Sequence, residues 1–238
     1  MKNIACTLAS LLALAHAPAA LAQASCNNDG IAQPVALFER FLSADCEACW
    51  QDSTTPAPSD PVATLLLDWI VPSAAGDDAP LSAAATTDAL ARLQTLGRNP
   101  PASTDVYTAS VEGSAPAQLR VAHGPPFNDY LGTIIAFTPA GGARQPGAGP
   151  GPFSFHLLLV ESVPAGTNGT AVHRNIVRNM LQGTWDKRNK LSKKKPSSWT
   201  ETRSMRIPDG AQAERLHMVG WVQDAQGRMV AATRSVCR

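Results

Sequence analysis

The stretch VALFERFLSADCEACWQD, residues 35–52, decides the fold that the sequence predicts. Its first half is apolar and aromatic, which predicts a strand, and Ser43 to Asp45 predict a short turn. A helix is expected to begin near Cys46, because the turn leads directly into the CxxC pair of Cys46 and Cys49. Two cysteines at this spacing are compatible with a working dithiol, a metal site or a structural disulfide.

Residues 1–24 have the pattern of a secretory signal peptide. A basic start is followed by the uncharged apolar segment IACTLASLLALAHAPAALA and by the small-x-small sequence Ala22-Gln23-Ala24. A membrane anchor is the competing interpretation, but His16 and Pro18 interrupt the segment. The sequence therefore predicts cleavage after Ala24, a periplasmic or secreted mature chain, and no transmembrane segment after cleavage.

The charge balance bears on the choice of partners. The chain has 20 basic and 19 acidic side chains, so its bulk charge gives no indication of binding to nucleic acid. The stretch KRNKLSKKK, residues 187–195, places six basic side chains in nine positions. Such a run is typical of a solvated loop, with contact to anionic lipid or to an acidic envelope protein as the alternative.

Four cysteines follow the predicted cleavage site, and an even number in an oxidising compartment predicts disulfides. Of the three possible pairings, we favour Cys46 with Cys49 and Cys26 with Cys237. The second pair would join the two ends of the mature chain, which often lie close together in compact domains. Its Cα atoms are expected to be about 4.4 to 6.8 Å apart. The alternative is that Cys26 and Cys237 are two unrelated free thiols.

The remaining patterns predict an α/β unit followed by a mainly β unit. TLLLDWIV, residues 64–71, is typical of a buried strand, and TTDALARLQTLG, residues 86–97, predicts a helix with Thr87 as N-cap. After residue 104, strand-like runs alternate with loops rich in Pro and Gly. A helix is expected from Val172 to Leu181, because its apolar residues have helical spacing. The last 20 or so residues predict a hairpin closed by the turn DAQG.

Three stretches together resemble a known family. VALFERFLSADCEACWQD, VHRNIVRNMLQGTWD and RLHMVGWVQDAQGRMVAATRS are similar to motifs of the thioredoxin-like secreted proteins grouped as domain of unknown function 1223. The resemblance implies a thioredoxin-like unit over residues 25–114, which carries the CxxC, and a β-rich unit over residues 115–238. It implies a location in the cell envelope but no established reaction.

Three features argue against an active thioredoxin-like site. The prolines of WQDSTTPAPSDP, residues 50–61, allow only a short helix after the CxxC. Ala109 stands where the family has a proline, and a cis peptide before a residue other than proline is several kcal/mol less stable, so the usual docking loop is expected to be absent or reshaped. Asp45 and Glu47 flank Cys46, and nearby negative charge raises a thiol pKa. These features predict that the Cys46–Cys49 disulfide is hard to reduce and that its exchange is weak.

Three functions therefore remain open. The first is thiol–disulfide exchange with a protein partner in the envelope, with Cys46 as the attacking and Cys49 as the resolving cysteine. The second is a non-catalytic envelope binding or assembly module with structural disulfides. The third is a copper carrier that uses Cys46, Cys49 and one distant histidine. The sequence predicts no cofactor, and its other candidate ligands are scattered histidines: His123, His156, His173 and His217. It does not indicate an oligomeric state.

Overall fold

The computed structural model of the chain describes residues 26–112, 118–139, 152–186 and 198–237. The predicted signal peptide and the basic stretch 187–195 lie outside these residues.

Strands make up most of the regular structure. The strands are β1 (Cys26–Asn27), β2 (Ala36–Ser43), β3 (Thr64–Val71), β4 (Thr104–Ser110), β5 (Gln118–Phe127), β6 (Tyr130–Thr138), β7 (Phe153–Val163), β8 (Arg174–Trp185), β9 (Trp199–Arg206), β10 (Leu216–Gln223), β11 (Met229–Arg234) and β12 (Val236–Cys237). The α-helices are α1 (Glu47–Gln51) and α2 (Thr87–Thr95), and short 3-10 helices cover Gly76–Asp78, Ser82–Ala84 and Ala213–Arg215.

These strands form two sheets. The larger sheet has seven strands in the order β11-β10-β7-β8-β3-β2-β4, and the smaller sheet has five in the order β12-β1-β5-β6-β9. In the larger sheet β3 is parallel to both β2 and β8, and the other neighbours are antiparallel. The link from β2 to β3 contains α1, so the CxxC lies in the connection between two parallel strands.

The two helices lie on opposite faces of the larger sheet. Because side chains alternate along a strand, neighbouring residues of β2 and β3 point to different faces. Trp69 lies in a buried cluster with Leu93 of α2, whereas Ile70 lies in another with Trp50 of α1. The packing of Trp50 on Ile70 therefore holds the CxxC helix against one face of the sheet.

The smaller sheet covers the rest of the face on which α1 lies. Leu157 of β7 and Val222 of β10 pack in one buried cluster with Val121 and Ile135 of the smaller sheet. The two sheets are in close contact at Gly220, where an added β-carbon would lie 2.7 Å from Cγ1 of Val121. This contact leaves no room for a side chain at position 220.

The predicted fold class, a thioredoxin-like α/β unit followed by a mainly β unit, is wrong. Strands account for 51% and helices for only 12% of the described structure, which makes the protein mostly β. β2, β3 and β4 belong to residues 25–114, yet they form one sheet with four strands from residues 115–238. The two predicted units share that sheet and a buried cluster in which Phe41 lies with Val219.

The predicted helix from Val172 to Leu181 is also wrong, because the segment from Arg174 onward belongs to β8. Its pairing with β7 shifts between Leu159 and Val160, where Leu159 faces Asn179 and Val160 faces Val177. A bulge of this kind breaks the period of two, so the apolar residues do not alternate as in a regular strand. The resulting spacing resembles that of a helix.

Other predicted elements are confirmed. The strand at residues 64–71 is β3, and the predicted helix is α2, which begins one residue earlier than expected because Thr86 rather than Thr87 is its N-cap. The hairpin near the C-terminus is formed by β10 and β11.

Candidate functional site at the CxxC

Both predicted disulfides are present. Cys46 is bonded to Cys49 with Cα atoms 5.2 Å apart, and Cys26 is bonded to Cys237 with Cα atoms 4.0 Å apart. The pairing that we favoured is confirmed, although the second separation is below the expected range. Cys26 and Cys237 are direct partners in the register of β1 and β12, which places their Cα atoms close together.

Cys46 caps the short helix α1. The backbone N–H of Cys49 donates to Sγ of Cys46 over 3.2 Å, so this sulfur stands where a capping oxygen usually accepts. The chain enters the helix through a tight turn, in which the Cys46 N–H donates to the Ser43 carbonyl oxygen over 3.0 Å. α1 has only five residues, Glu47–Gln51, so the CxxC does not begin the helix of a thioredoxin-like unit, and this part of the prediction is wrong.

The two cysteines have different surroundings. Both are partly exposed, but Cys49 packs against the buried cluster that contains Trp50 and Ile70, and Cys46 is not part of that cluster. Trp50 is fixed in turn by a hydrogen bond from Nε1 to the Asn168 carbonyl oxygen over 2.7 Å. Of the two cysteines, Cys49 is therefore the one that is held against the core.

Arg174, the first residue of β8, lies beneath α1. Its Nη2 donates to the carbonyl oxygens of Cys49 and Trp50 over 3.0 and 3.1 Å. Its guanidinium carbon lies 5.2 Å from the centre of the Trp50 ring, within the range of a cation–π contact. The side chain is fully buried, so water does not screen its charge.

A buried carboxylate joins Arg174 to a second arginine. Asp68 accepts from Arg40 at both oxygens, over 2.7 and 2.9 Å, and its Oδ1 also lies 3.3 Å from Nη1 of Arg174. Two cations share one carboxylate, which leaves this group with a net positive charge. Burial lowers the pKa of Arg174, and Asp68 opposes that effect. Since an arginine stays protonated in proteins, the positive charge remains under the helix.

Negative charge near the CxxC lies at the surface. Asp45 and Glu47 are exposed; Asp45 accepts from the Ser73 hydroxyl over 2.8 Å and Glu47 from the Gln51 amide over 3.0 Å. Hydrogen bonds from Thr54 lower the pKa of Asp52, which keeps that carboxyl ionised at neutral pH. Solvent screens such surface charges, whereas it does not screen Arg174.

Ala109 does not face the CxxC. It pairs with Leu37 in β2, six residues before Ser43, which corresponds to roughly 20 Å along the strand. The residue of this chain segment that lies next to the motif is Ser103, whose carbonyl oxygen accepts from the Ser43 N–H over 2.8 Å. The described residues contain no cis peptide bond.

A copper site at the CxxC would need a histidine beside Cys46 and Cys49, and the histidines of the described ranges lie elsewhere. Within the described ranges, only one group of three ligating side chains is close enough to hold an ion, and it consists of Cys26, His123 and Cys237. His156 stacks on Trp221 with ring centres 4.5 Å apart. The described structure therefore brings no histidine together with Cys46 and Cys49.

Sequence reasoning missed the buried ion pairs around the site. Besides Asp68 with its two arginines, Glu39 accepts from Arg92 over 2.6 Å on the opposite face of the sheet. The signal was present, because Glu39, Arg40 and Asp68 interrupt apolar strands that are otherwise typical of a core. Their partners could not be read from the sequence, since Arg174 is 106 residues from Asp68.

None of the helices in the described ranges has the length and hydropathy that crossing a membrane requires. Two disulfides are typical of proteins that fold in an oxidising compartment. No protein-family model matches the chain, and a search of curated proteins found no match either.

Proposed function

We propose that the protein carries out thiol–disulfide exchange in the cell envelope through Cys46 and Cys49. In the reducing direction, the Cys46 thiolate attacks a disulfide of a partner protein, forms a mixed disulfide and releases one partner thiolate. The Cys49 thiolate then attacks Cys46, which forms the Cys46–Cys49 bond and releases the second partner thiolate. Oxidation of a partner dithiol is the same sequence in reverse.

The proposal rests on the surroundings of Cys46. Cys46 is partly exposed, and its disulfide sulfur accepts the Cys49 N–H at the start of α1. In the reduced chain, the same hydrogen bond to the Cys46 thiolate would lower the pKa of the thiol. The unscreened charge of Arg174 acts in the same direction, while Asp45 and Glu47 act against it. Because these effects oppose one another, we expect slow exchange rather than vigorous oxidase activity.

The envelope location is supported by the sequence. Residues 1–24 have the pattern of a signal peptide, and the three motifs resemble secreted proteins of the domain of unknown function 1223 family. Two disulfides fit this location, because cytosolic thiols are kept reduced.

Trapping of a mixed disulfide tests the proposed roles. The Cys49→Ser variant retains Cys46 as a free thiol and lacks the resolving cysteine. Incubated with oxidised glutathione in its folded state, it should form a stable mixed disulfide at Cys46, detectable by the mass of the intact chain. The matched Cys46→Ser variant, whose remaining thiol packs against the core, should react at least several-fold more slowly.

Equal rates in the two variants would remove the assigned roles. If neither variant reacts while folded, the disulfide is structural, and the alternative of a non-catalytic envelope binding or assembly module is favoured. Reduction of the disulfides of insulin by the native chain provides a second readout, and complete inactivity there would argue against exchange with proteins.

A further inference from the structure

Cys237, Cys26 and His123 lie side by side on three adjacent strands of the smaller sheet. Cys26 of β1 pairs with Cys237 of β12 on one side and with His123 of β5 on the other. One ligand atom from each of the three residues lies within 4.8 Å of the other two. Cys26 and His123 are buried and Cys237 is exposed, so within the group solvent contact is mainly at Cys237.

The hydrogen bond of His123 determines which ring nitrogen can bind a ligand. Nδ1 lies 2.8 Å from the carbonyl oxygen of Gly124, which can only accept, so Nδ1 carries the proton of the neutral imidazole. Nε2 then keeps its lone pair. Metal-binding histidines usually donate their other N–H to a carboxylate or carbonyl oxygen, and this contact fixes the ring orientation.

The spacing of the three side chains fits a small ion. Three ligand atoms in a trigonal arrangement, each about 2.3 Å from an ion, lie about 4.0 Å from one another, and the three atoms here already lie within 4.8 Å of one another. Once the disulfide is cleaved, its sulfurs must separate. Cys237 can make this movement, because β12 is an edge strand of two exposed residues.

We propose that in the reduced chain Cys26, Cys237 and His123 bind Cu(I). Two thiolates and an imidazole are ligands that suit Cu(I), whereas a zinc site of this kind needs a fourth ligand. A dithiol reductant transfers two electrons and two protons to the Cys26–Cys237 bond and becomes a disulfide itself. Binding of the ion then releases the two thiol protons. The group therefore alternates between a disulfide and a metal site.

Titration of the reduced full-length chain with Cu(I) tests this site. Cys46→Ser with Cys49→Ser provides the parent, because it removes the other thiols that could bind copper. After anaerobic reduction and removal of the reductant, Cu(I) is added against a chromogenic Cu(I) chelator. The parent should bind one ion per chain, and adding His123→Gln should weaken binding at least tenfold. His173→Gln, which removes an exposed histidine outside the group, should leave the affinity unchanged.

X-ray absorption at the copper edge gives a second readout that does not depend on the stability of the His123→Gln variant. The parent should show two sulfurs and one nitrogen around copper. A parent that retains no Cu(I), a His123→Gln variant with unchanged affinity, or a coordination shell of sulfur alone would each overturn the proposal.

Discussion

The guanidinium of Arg174 donates to the carbonyl oxygen of Cys49 over 3.0 Å, and this bond joins β8 to the CxxC helix across 125 residues of sequence. The same side chain is paired with Asp68 in the middle of the larger sheet. A buried positive charge is thereby held below the helix at which the sulfurs of Cys46 and Cys49 lie. The properties of the CxxC should depend on residues far from it in the sequence.

Replacing Arg174 should lower the reactivity of Cys46. Arg174→Met removes the unscreened charge that favours a thiolate, so the Cys46 pKa should rise and its alkylation rate at pH 7 should fall about three- to tenfold. Asp68 keeps Arg40 as a partner, and the loss of the remaining hydrogen bonds should lower the free energy of unfolding by about 2–4 kcal/mol. Alkylation of the reduced chain, followed at Cys46 by mass spectrometry, measures the first effect.

The matched control removes a buried guanidinium from the other face of the sheet. Arg92→Met combined with Glu39→Gln eliminates that ion pair without leaving an unpaired charge. It should also reduce stability, but the alkylation rate of Cys46 should stay the same. A similar fall in rate in both variants would mean that general loosening of the fold, not the charge of Arg174, changes the thiol.

The surface carboxylates should have the opposite effect on the thiol. Asp45→Asn with Glu47→Gln removes two exposed negative charges that disfavour a thiolate, so the Cys46 pKa should fall and the disulfide should become more oxidising. The effect should shrink in high salt, because exposed charges are screened. Measuring the alkylation rate at low and high ionic strength checks both points. An unchanged rate at low salt would contradict this electrostatic account.

The two disulfides should differ in their contribution to stability. The Cys26–Cys237 bond closes a loop with a sequence separation of 211, and the Cys46–Cys49 bond one with a separation of 3. In the chain-entropy model, loss of the first lowers the free energy of unfolding by about 5 kcal/mol and loss of the second by about 2 kcal/mol. Urea unfolding of Cys26→Ser with Cys237→Ser, and of Cys46→Ser with Cys49→Ser, measures both. The opposite order would show that the terminal bond is not the main covalent constraint.

A buried histidine should make the fold sensitive to mild acid. Burial, together with the nearby charge of Arg92, lowers the pKa of His156 to about 3. Below pH 6.5, the ordinary pKa of a histidine, the unfolded chain binds a proton at His156 that the folded chain does not bind. The contribution of this group to stability is therefore fully present above that pH and is lost as the pH falls. Between pH 7 and pH 5 this single group should account for about 2 kcal/mol of lost stability.

His156→Gln isolates that contribution, because glutamine does not titrate in this range. The variant will have its own stability at pH 7, so the comparison is between the losses of the two proteins from pH 7 to pH 5 in urea unfolding. A smaller loss in the variant is expected. Identical losses would show that His156 is protonated in the folded chain.

The sequence predicted local elements better than their assembly. β3 and α2 were predictable because β3 is a short apolar run, the leucines of α2 have helical spacing and Gly97 follows the end of the helix, although the N-cap is Thr86 and not the predicted Thr87. β8 was not, because a bulge gives it helical spacing. That β3 pairs with β8 could not be predicted, since strand pairing depends on contacts between distant segments and not on local pattern.

The same distinction applies to the candidate site. Cys46 and Cys49 were identified from their spacing, and both disulfide pairings followed from the number of cysteines and the position of the chain ends. The role of Arg174 was hidden, because a lone arginine in an apparent helix carries no sign of a partner. The group of His123 with Cys26 was hidden for the same reason, since it depends on the pairing of β1 with β5.

Reduction of each disulfide in the native chain is the measurement that tests the proposed exchange most directly. The folded protein is equilibrated in a series of dithiol redox buffers, the thiols are alkylated, and mass spectrometry reports the Cys46–Cys49 and Cys26–Cys237 pairs separately. Circular dichroism of the same samples reports whether the chain stays folded. The Cys46–Cys49 bond should open first and without loss of structure. If that bond opens only when the chain unfolds, Cys46 and Cys49 form a structural disulfide and the proposed exchange is wrong.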